Sequence, residues 1–120
     1  FANAGCPYPY HYHASTGLVT ELQVDAYPLG VRGGTAYQAI EGQLAGGDRL
    51  VLCSDGIPEA MNPAGEMFGF DRTAASILRA SQQDSSAEAV LACVLGEVRA
   101  FSGERPQEDD QTIVVVAGED

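Results

Sequence analysis

Lysine is absent from this 120-residue chain, and arginine supplies all 6 basic side chains against 17 aspartates and glutamates. The formal net charge is -11. DNA and RNA backbones are repelled by such a surface, because phosphate neutralisation by Lys and Arg supplies most non-specific affinity. No nucleic-acid partner is expected. An acidic excess is better suited to holding cations, although for most of these carboxylates a solubility surface is explanation enough. Cysteine is scarce: Cys6, Cys53 and Cys93 are odd in number and widely spaced, with no Cys-x-x-Cys or Cys/His finger pattern. They support neither a disulfide framework nor a zinc site. Cys53 and Cys93 lie among apolar residues and read as small buried hydrophobes, which suits a reducing cytoplasm. Nowhere do 18 apolar residues run together, and the opening Phe-Ala-Asn-Ala-Gly has no basic region followed by an apolar core. Neither secretion nor a membrane span is expected from this segment. An initiator Met is missing too, so the chain is expected to be cut from a longer protein.

What is present is a globular balance, 45% apolar and 19% charged, at the size of one ordinary domain with a single core. Tyr8 to Ala14 and Leu18 to Val24 read as strands joined by the Ser15-Thr16-Gly17 turn, a hairpin. After a loop through Pro28-Leu29-Gly30-Val31 and Gly33-Gly34, Tyr37 to Leu44 reads as a third strand ending at the Gly46-Gly47-Asp48 turn. Leu50 to Cys53 is continuously apolar, as a strand covered on both faces would be. A helix is expected over about Asp71 to Ala80, with Ala74, Ile77 and Leu78 inward. Ser85 and Glu88 have the spacing of a capping box opening a second helix. Ala87, Val90, Leu91, Val94, Leu95, Val98 and Phe101 form its apolar stripe, Gly103 and Pro106 stop it, and Thr112 to Val116 reads as a buried last strand. Strands, paired helices and a final strand define an α+β layered fold, with helices on a largely antiparallel sheet.

Two acidic sites stand at ends of apolar strands: Asp55 and the pair Asp109-Asp110. Hard divalent cations such as Mg²⁺ and Mn²⁺ take oxygen ligands from one or two carboxylates, and strand pairing could bring these together. Alone, each has a plainer reading. Asp55-Gly56 is a common turn, and consecutive acids before a strand usually form a solvated loop. The longer string Gly47-Asp48-x-Leu50-Val51-Leu52-Cys53-Ser54-Asp55-Gly56-Ile57-x-Glu59-Ala60-x-Asn62 is more specific. It resembles the strand-and-turn motif of the SpoIIE-like branch of bacterial metal-dependent (type 2C) serine/threonine protein phosphatases. Asn3-Ala4-Gly5 with Pro7, Pro28-Leu29-Gly30-Val31, Phe68-Gly69 and Asp109-Asp110-x-Thr112 agree in order and spacing, so the resemblance covers essentially the whole chain.

The resemblance implies that residues 1–120 are the C-terminal part of a single phosphatase domain. Its fold would be part of a four-layer α-β-β-α sandwich, two antiparallel sheets with outer helices, the N-terminal half lying outside this chain. It implies that Asp55 and Asp109 are metal ligands, with Gly56 and Asp110 supporting them, and that Asp48 caps a strand end. Two Mn²⁺ or Mg²⁺ ions in the complete domain would activate water for in-line attack on a phosphoserine or phosphothreonine. The implied partner is a phosphorylated regulatory protein of the anti-sigma-factor-antagonist class, in a signalling or stress pathway.

Two departures matter. Cys6 stands where family members carry histidine, and the later His11 and His13 read as strand surface residues, since paired histidines without a carboxylate behind them are weak evidence for metal. The family's Asp-x-x-Gly segment, whose aspartate bridges both metals, would precede Phe1. Weak metal binding and little activity are therefore expected of the chain alone, and a catalytically silent phosphatase-like regulatory module is the alternative. Uncovered sheet edges also make self-association an expectation.

Overall fold

A computed structural model describes residues 1–83 and 86–119. Four strands and two helices follow in the order β1 (Tyr10–His13), β2 (Leu18–Glu21), β3 (Arg49–Cys53), α1 (Gly69–Gln83), α2 (Ala87–Ser102) and β4 (Ile113–Ala117). The strands form one antiparallel sheet in the order β2-β1-β3-β4. The chain is thus α+β, as its pattern of elements requires.

Alternation along the strands sorts residues between two faces. Tyr10, Val51 and Cys53 point to one side and meet Ile77, Ala80, Val90, Val94 and Val98 of the helices in a single core. Ile57 and Phe68, from the segment between β3 and α1, complete it. The stripe read from the sequence for α2 is the observed one: Val90, Val94 and Val98, four residues apart, are fully buried. On α1 Ile77 is buried and Ala74 packs against the core, but Thr73, Ser76 and Ala80 are buried beside them. Thr73 is accommodated because its hydroxyl donates to Gly69 O at 2.7 Å. The Cα trace is only 19 Å deep in its thinnest direction, the depth of one helical layer on one sheet.

Several expectations are corrected. Tyr37 to Leu44 is not a strand; Ala39 forms only an isolated bridge with Ala2. The reason is topological: β1 is already flanked by β2 and β3, and β3 by β1 and β4. Only the edges at β2 and β4 are vacant, and 37–44 pairs with neither; among the described residues its one pairing is with Ala2. Leu50 to Cys53 is covered by helices on one face only, so Val51 and Cys53 are buried while Leu50 and Leu52 are half-exposed. Likewise β4 is not a buried strand, because Val114 and Val116 are exposed. Cys53 is a buried hydrophobe, and burial pushes its thiol up to about 12, whereas Cys93 is only half-buried. Of the expected capping box, Ser85 lies outside the described residues; the N-cap is Ser86, whose side chain accepts from Ala89 N at 3.1 Å.

Candidate functional site

The loop after β3 is held against the segment before β4 through the backbone amide and the hydroxyl of Ser54. Ser54 N donates to Thr112 O at 2.9 Å, Thr112 N donates to Ser54 Oγ at 2.9 Å, and Ser54 Oγ donates to Asp110 O at 3.2 Å. The next turn continues the approach. A Cβ on Gly56 would lie 2.1 Å from Asp110 O, so only glycine allows the two backbones to meet. Residues separated by more than fifty positions thereby share one sheet end, with Asp55 and Asp109 both exposed there.

Asp55 and Asp109 face different concavities. Asp55 lines an open cleft with Asn3, Cys6, Tyr8, Asp25 and Phe70. Asp109 lines a smaller one with Gly56, Glu59, Met61, Met67 and Arg105. Local bonds restrain the second acidic site: Asp110 N donates to Asp109 Oδ1 at 2.8 Å, and Gln107 Nε2 donates to Asp109 O at 2.9 Å. Asp110 enters the arrangement through its carbonyl oxygen, which meets both Ser54 and Gly56. Exposed carboxylate oxygens on a rigid turn are a donor set suited to hard divalent cations. Among the described residues no third acidic, histidine or cysteine ligand completes a metal-ready cluster with Asp55 and Asp109.

The rim of the Asp55 cleft is built by residues whose importance lies in tertiary contacts. Asn3 is buried; its Nδ2 donates to Cys6 O at 2.9 Å and Val24 O at 3.2 Å, and Cys6 N donates to its Oδ1 at 2.8 Å. This ties the first loop to the end of the β1–β2 hairpin. Gly5, at φ +84°, lets that loop pack on Pro28, where a Cβ would come within 2.7 Å of the ring. Two of the motif segments are therefore in contact. Tyr8 OH donates to Asp25 Oδ1, and this bond, with burial adding to it, raises the phenol above its ordinary pKa. Asn3 carried a readable signal, since an Asn two residues before a glycine favours a side-chain-stabilised turn. Tyr8 and Asp25 carried none.

At the other end of β3 the expectations for His11, His13 and Asp48 meet. Asp48 does cap: its Oδ1 accepts from Ala14 N at 2.9 Å and its Oδ2 from Ala45 N at 3.2 Å. The histidines are not free surface residues, because His11 Nε2 lies 2.8 Å from Asp48 Oδ2 and His13 Nε2 lies 2.9 Å from Thr20 Oγ1. The carboxylate that the sequence did not place beside them comes from the turn before β3.

The fold has known counterparts. It superposes on the SiaA-PP2C domain of Pseudomonas aeruginosa with TM-score 0.74 and 27% identity, covering 92% of this chain and 42% of that one. The PP2C phosphatase domain and a regulatory fragment of SpoIIE from Bacillus subtilis match with TM-score 0.71 and 21% identity over 96% of this chain and 33% of that one. The RsbU and RsbW domains of Rv1364c from Mycobacterium tuberculosis match with TM-score 0.72 and 19% identity, covering 95% of this chain and 30% of that one. The architecture is thus a fragment of the PP2C phosphatase fold. The sequence profile of the family described as stage II sporulation protein E (SpoIIE) matches residues 1–118, and the chain belongs to that family. It spans less than half the length of each of these three structures. No curated protein matches it significantly. No helix among the described residues is long and apolar enough to cross a membrane.

Proposed function

We propose that this chain is the C-terminal part of a single metal-dependent protein serine/threonine phosphatase domain and that Asp55 and Asp109 are its contribution to the metal centre. The observation that carries the reading is the Gly56 contact, which leaves no room for a Cβ and locks the Asp55 turn to the Asp110 backbone. A common turn has no need of such closeness to a distant acidic loop. Family membership over residues 1–118 supports the same chemistry.

In this reading Asp55 and Asp109 hold Mn²⁺ or Mg²⁺ through carboxylate oxygens, and ligands from the rest of the domain complete the centre. When bound, the ions supply a nucleophile at neutral pH and offset charge on the phosphoryl oxygens. Gly56 and the carbonyl of Asp110 hold the two carboxylate-bearing loops in register. The cleft lined by Asn3, Tyr8 and Asp25 borders Asp55 and receives the phosphorylated segment. Its occupant is a phosphoserine or phosphothreonine of a small regulatory protein of the anti-sigma-factor-antagonist class, in a cytoplasmic stress pathway.

The test is metal-dependent phosphate release from an aryl phosphate and a phosphoserine peptide by the full-length protein that contains this chain. Mn²⁺-dependent turnover that falls about a hundredfold or more in both Asp55→Ala and Asp109→Ala is the expected result. A folded but inactive full-length protein favours instead a silent docking module, a reading to which Cys6 on the Asp55 cleft lends support.

A further inference from the structure

Three side chains that the phosphatase reading leaves unused converge at the end of β3 remote from Asp55. His11 and His13 alternate on β1 and so share a face of the sheet, with rings stacked 3.8 Å apart between centroids. Asp48, immediately before β3, directs its carboxylate at His11, and one ligand atom from each of the three lies within 4.8 Å of the others. The His11 and Asp48 side chains are only 13% and 7% exposed. Asp48 and Asp55 flank the five residues of β3, so roughly 15–20 Å of strand separates this cluster from the Asp55 turn.

We propose that His11, His13 and Asp48 form a second metal site, one that binds a single zinc-class divalent cation with its fourth position left to water. The donor set decides the class of ion. Two imidazoles and one carboxylate suit Zn²⁺ and its late first-row neighbours, whereas Mg²⁺ and Mn²⁺ favour oxygen ligands. Zn–N and Zn–O bonds of about 2.0–2.2 Å put neighbouring ligand atoms roughly 3.3 Å apart in a tetrahedral shell. The distances here, from 2.8 Å for His11–Asp48 to at most 4.8 Å, bracket that value. Opening the His11–Asp48 contact by about half an ångström and turning His13 away from Thr20 brings all three into range.

Asp48 is already oriented for ligation. The amides of Ala14 and Ala45 hold its two oxygens, an arrangement typical of the outer partners that fix a metal-binding carboxylate. The ion takes the place of the proton between His11 Nε2 and Asp48 Oδ2; the ring then carries its proton on Nδ1 and binds as a neutral imidazole through the Nε2 lone pair. Ligation ties β1 to the turn before β3, so it stabilises the folded chain.

The experiment titrates the chelator-stripped chain with Zn²⁺ by calorimetry and with Co²⁺ as a spectroscopic probe. One Zn²⁺ per chain is expected to bind in preference to Mn²⁺ and Mg²⁺, to raise Tm, and to be replaced by Co²⁺ showing tetrahedral visible absorption. His13→Gln, with its fold verified by circular dichroism, is expected to lose affinity by about tenfold or more and to lose the Co²⁺ spectrum. Asp55→Asn is expected to leave both unchanged. Unchanged affinity in folded His13→Gln, loss of binding in Asp55→Asn, or no stoichiometric Zn²⁺ overturns the proposal. Because the chain has only 2 histidines, NMR puts the question to the unaltered protein as well. Ring resonances of both must move with Zn²⁺, and unmoved resonances overturn the site.

Discussion

Asp48 is 5% exposed, and burial by itself would raise its pKa. Hydrogen bonds from Ala14 N, His11 and Ala45 N outweigh that effect and hold the carboxyl below the usual aspartate range. A depressed folded-state pKa adds stability that is present above the unfolded value, about 3.9, and is lost as pH falls through the folded value. Urea midpoints measured from neutral pH down to about pH 2 should therefore fall in acid. Asp48→Asn should be less stable near neutrality by about 1–3 kcal/mol and should show a shallower acid slope. Glu97, held low by Arg79 against its own burial, titrates in the same direction, so the difference between the two proteins isolates Asp48. Equal slopes would refute this role. The capping of Asp48 was legible in Gly46-Gly47-Asp48, because a carboxylate at such a turn faces unpaired amides. Its contact with His11 was not, since 37 positions separate the two and only the pairing of β1 with β3 joins them.

At the scale of elements, the most readable parts are those whose burial repeats with their own period. Along α2 the stripe of Val90, Val94 and Val98 is visible in the sequence and is the face that packs on β4 and α1. Val94 is fully buried, so Val94→Ala leaves a cavity that its neighbours cannot readily fill. Chemical denaturation should register a loss of about 2 kcal/mol, and a change below about 0.5 kcal/mol would mean that the helix is not anchored there. The segment 37–44 failed as a strand for the complementary reason. A strand is stabilised by its neighbours, and alternation within a segment does not say whether a neighbour is available. The same limit explains Leu50 to Cys53, whose apolar run implied cover on both faces while the helices cover only one.

On the face of the sheet opposite the helices, Leu18, Val114 and Val116 are 59%, 50% and 44% exposed. Strands β2 and β4 are its edges. This face also carries His11, His13 and Thr20, but its exposed apolar side chains lie along the open edges, and such edges invite a second copy of the chain. Sedimentation of the 120-residue chain should show concentration-dependent dimers, weakened by Val116→Asp. A monomer at every concentration would contradict that expectation. The two sites also separate at this scale. Asp55 and Asp109 lie at one end of the sheet, in a family whose solved members extend well beyond this length. His11, His13 and Asp48 lie at the other, with one ligand atom from each within 4.8 Å of the others.

By itself the sequence determined the α+β class, both helices, the strands β1 to β4 and the family, because these depend on local periodicity and on residues contiguous in the chain. Asp55, Gly56, Asp109 and Asp110 could be named from those strings. Tertiary structure alone decided that Gly56 meets the Asp110 backbone, that Asn3 joins the first loop to Val24, and that Asp48 reaches His11. These contacts close loops of 21 to 54 residues. Which distant segments meet is set by strand pairing and shared burial across the whole chain, and no local pattern encodes it.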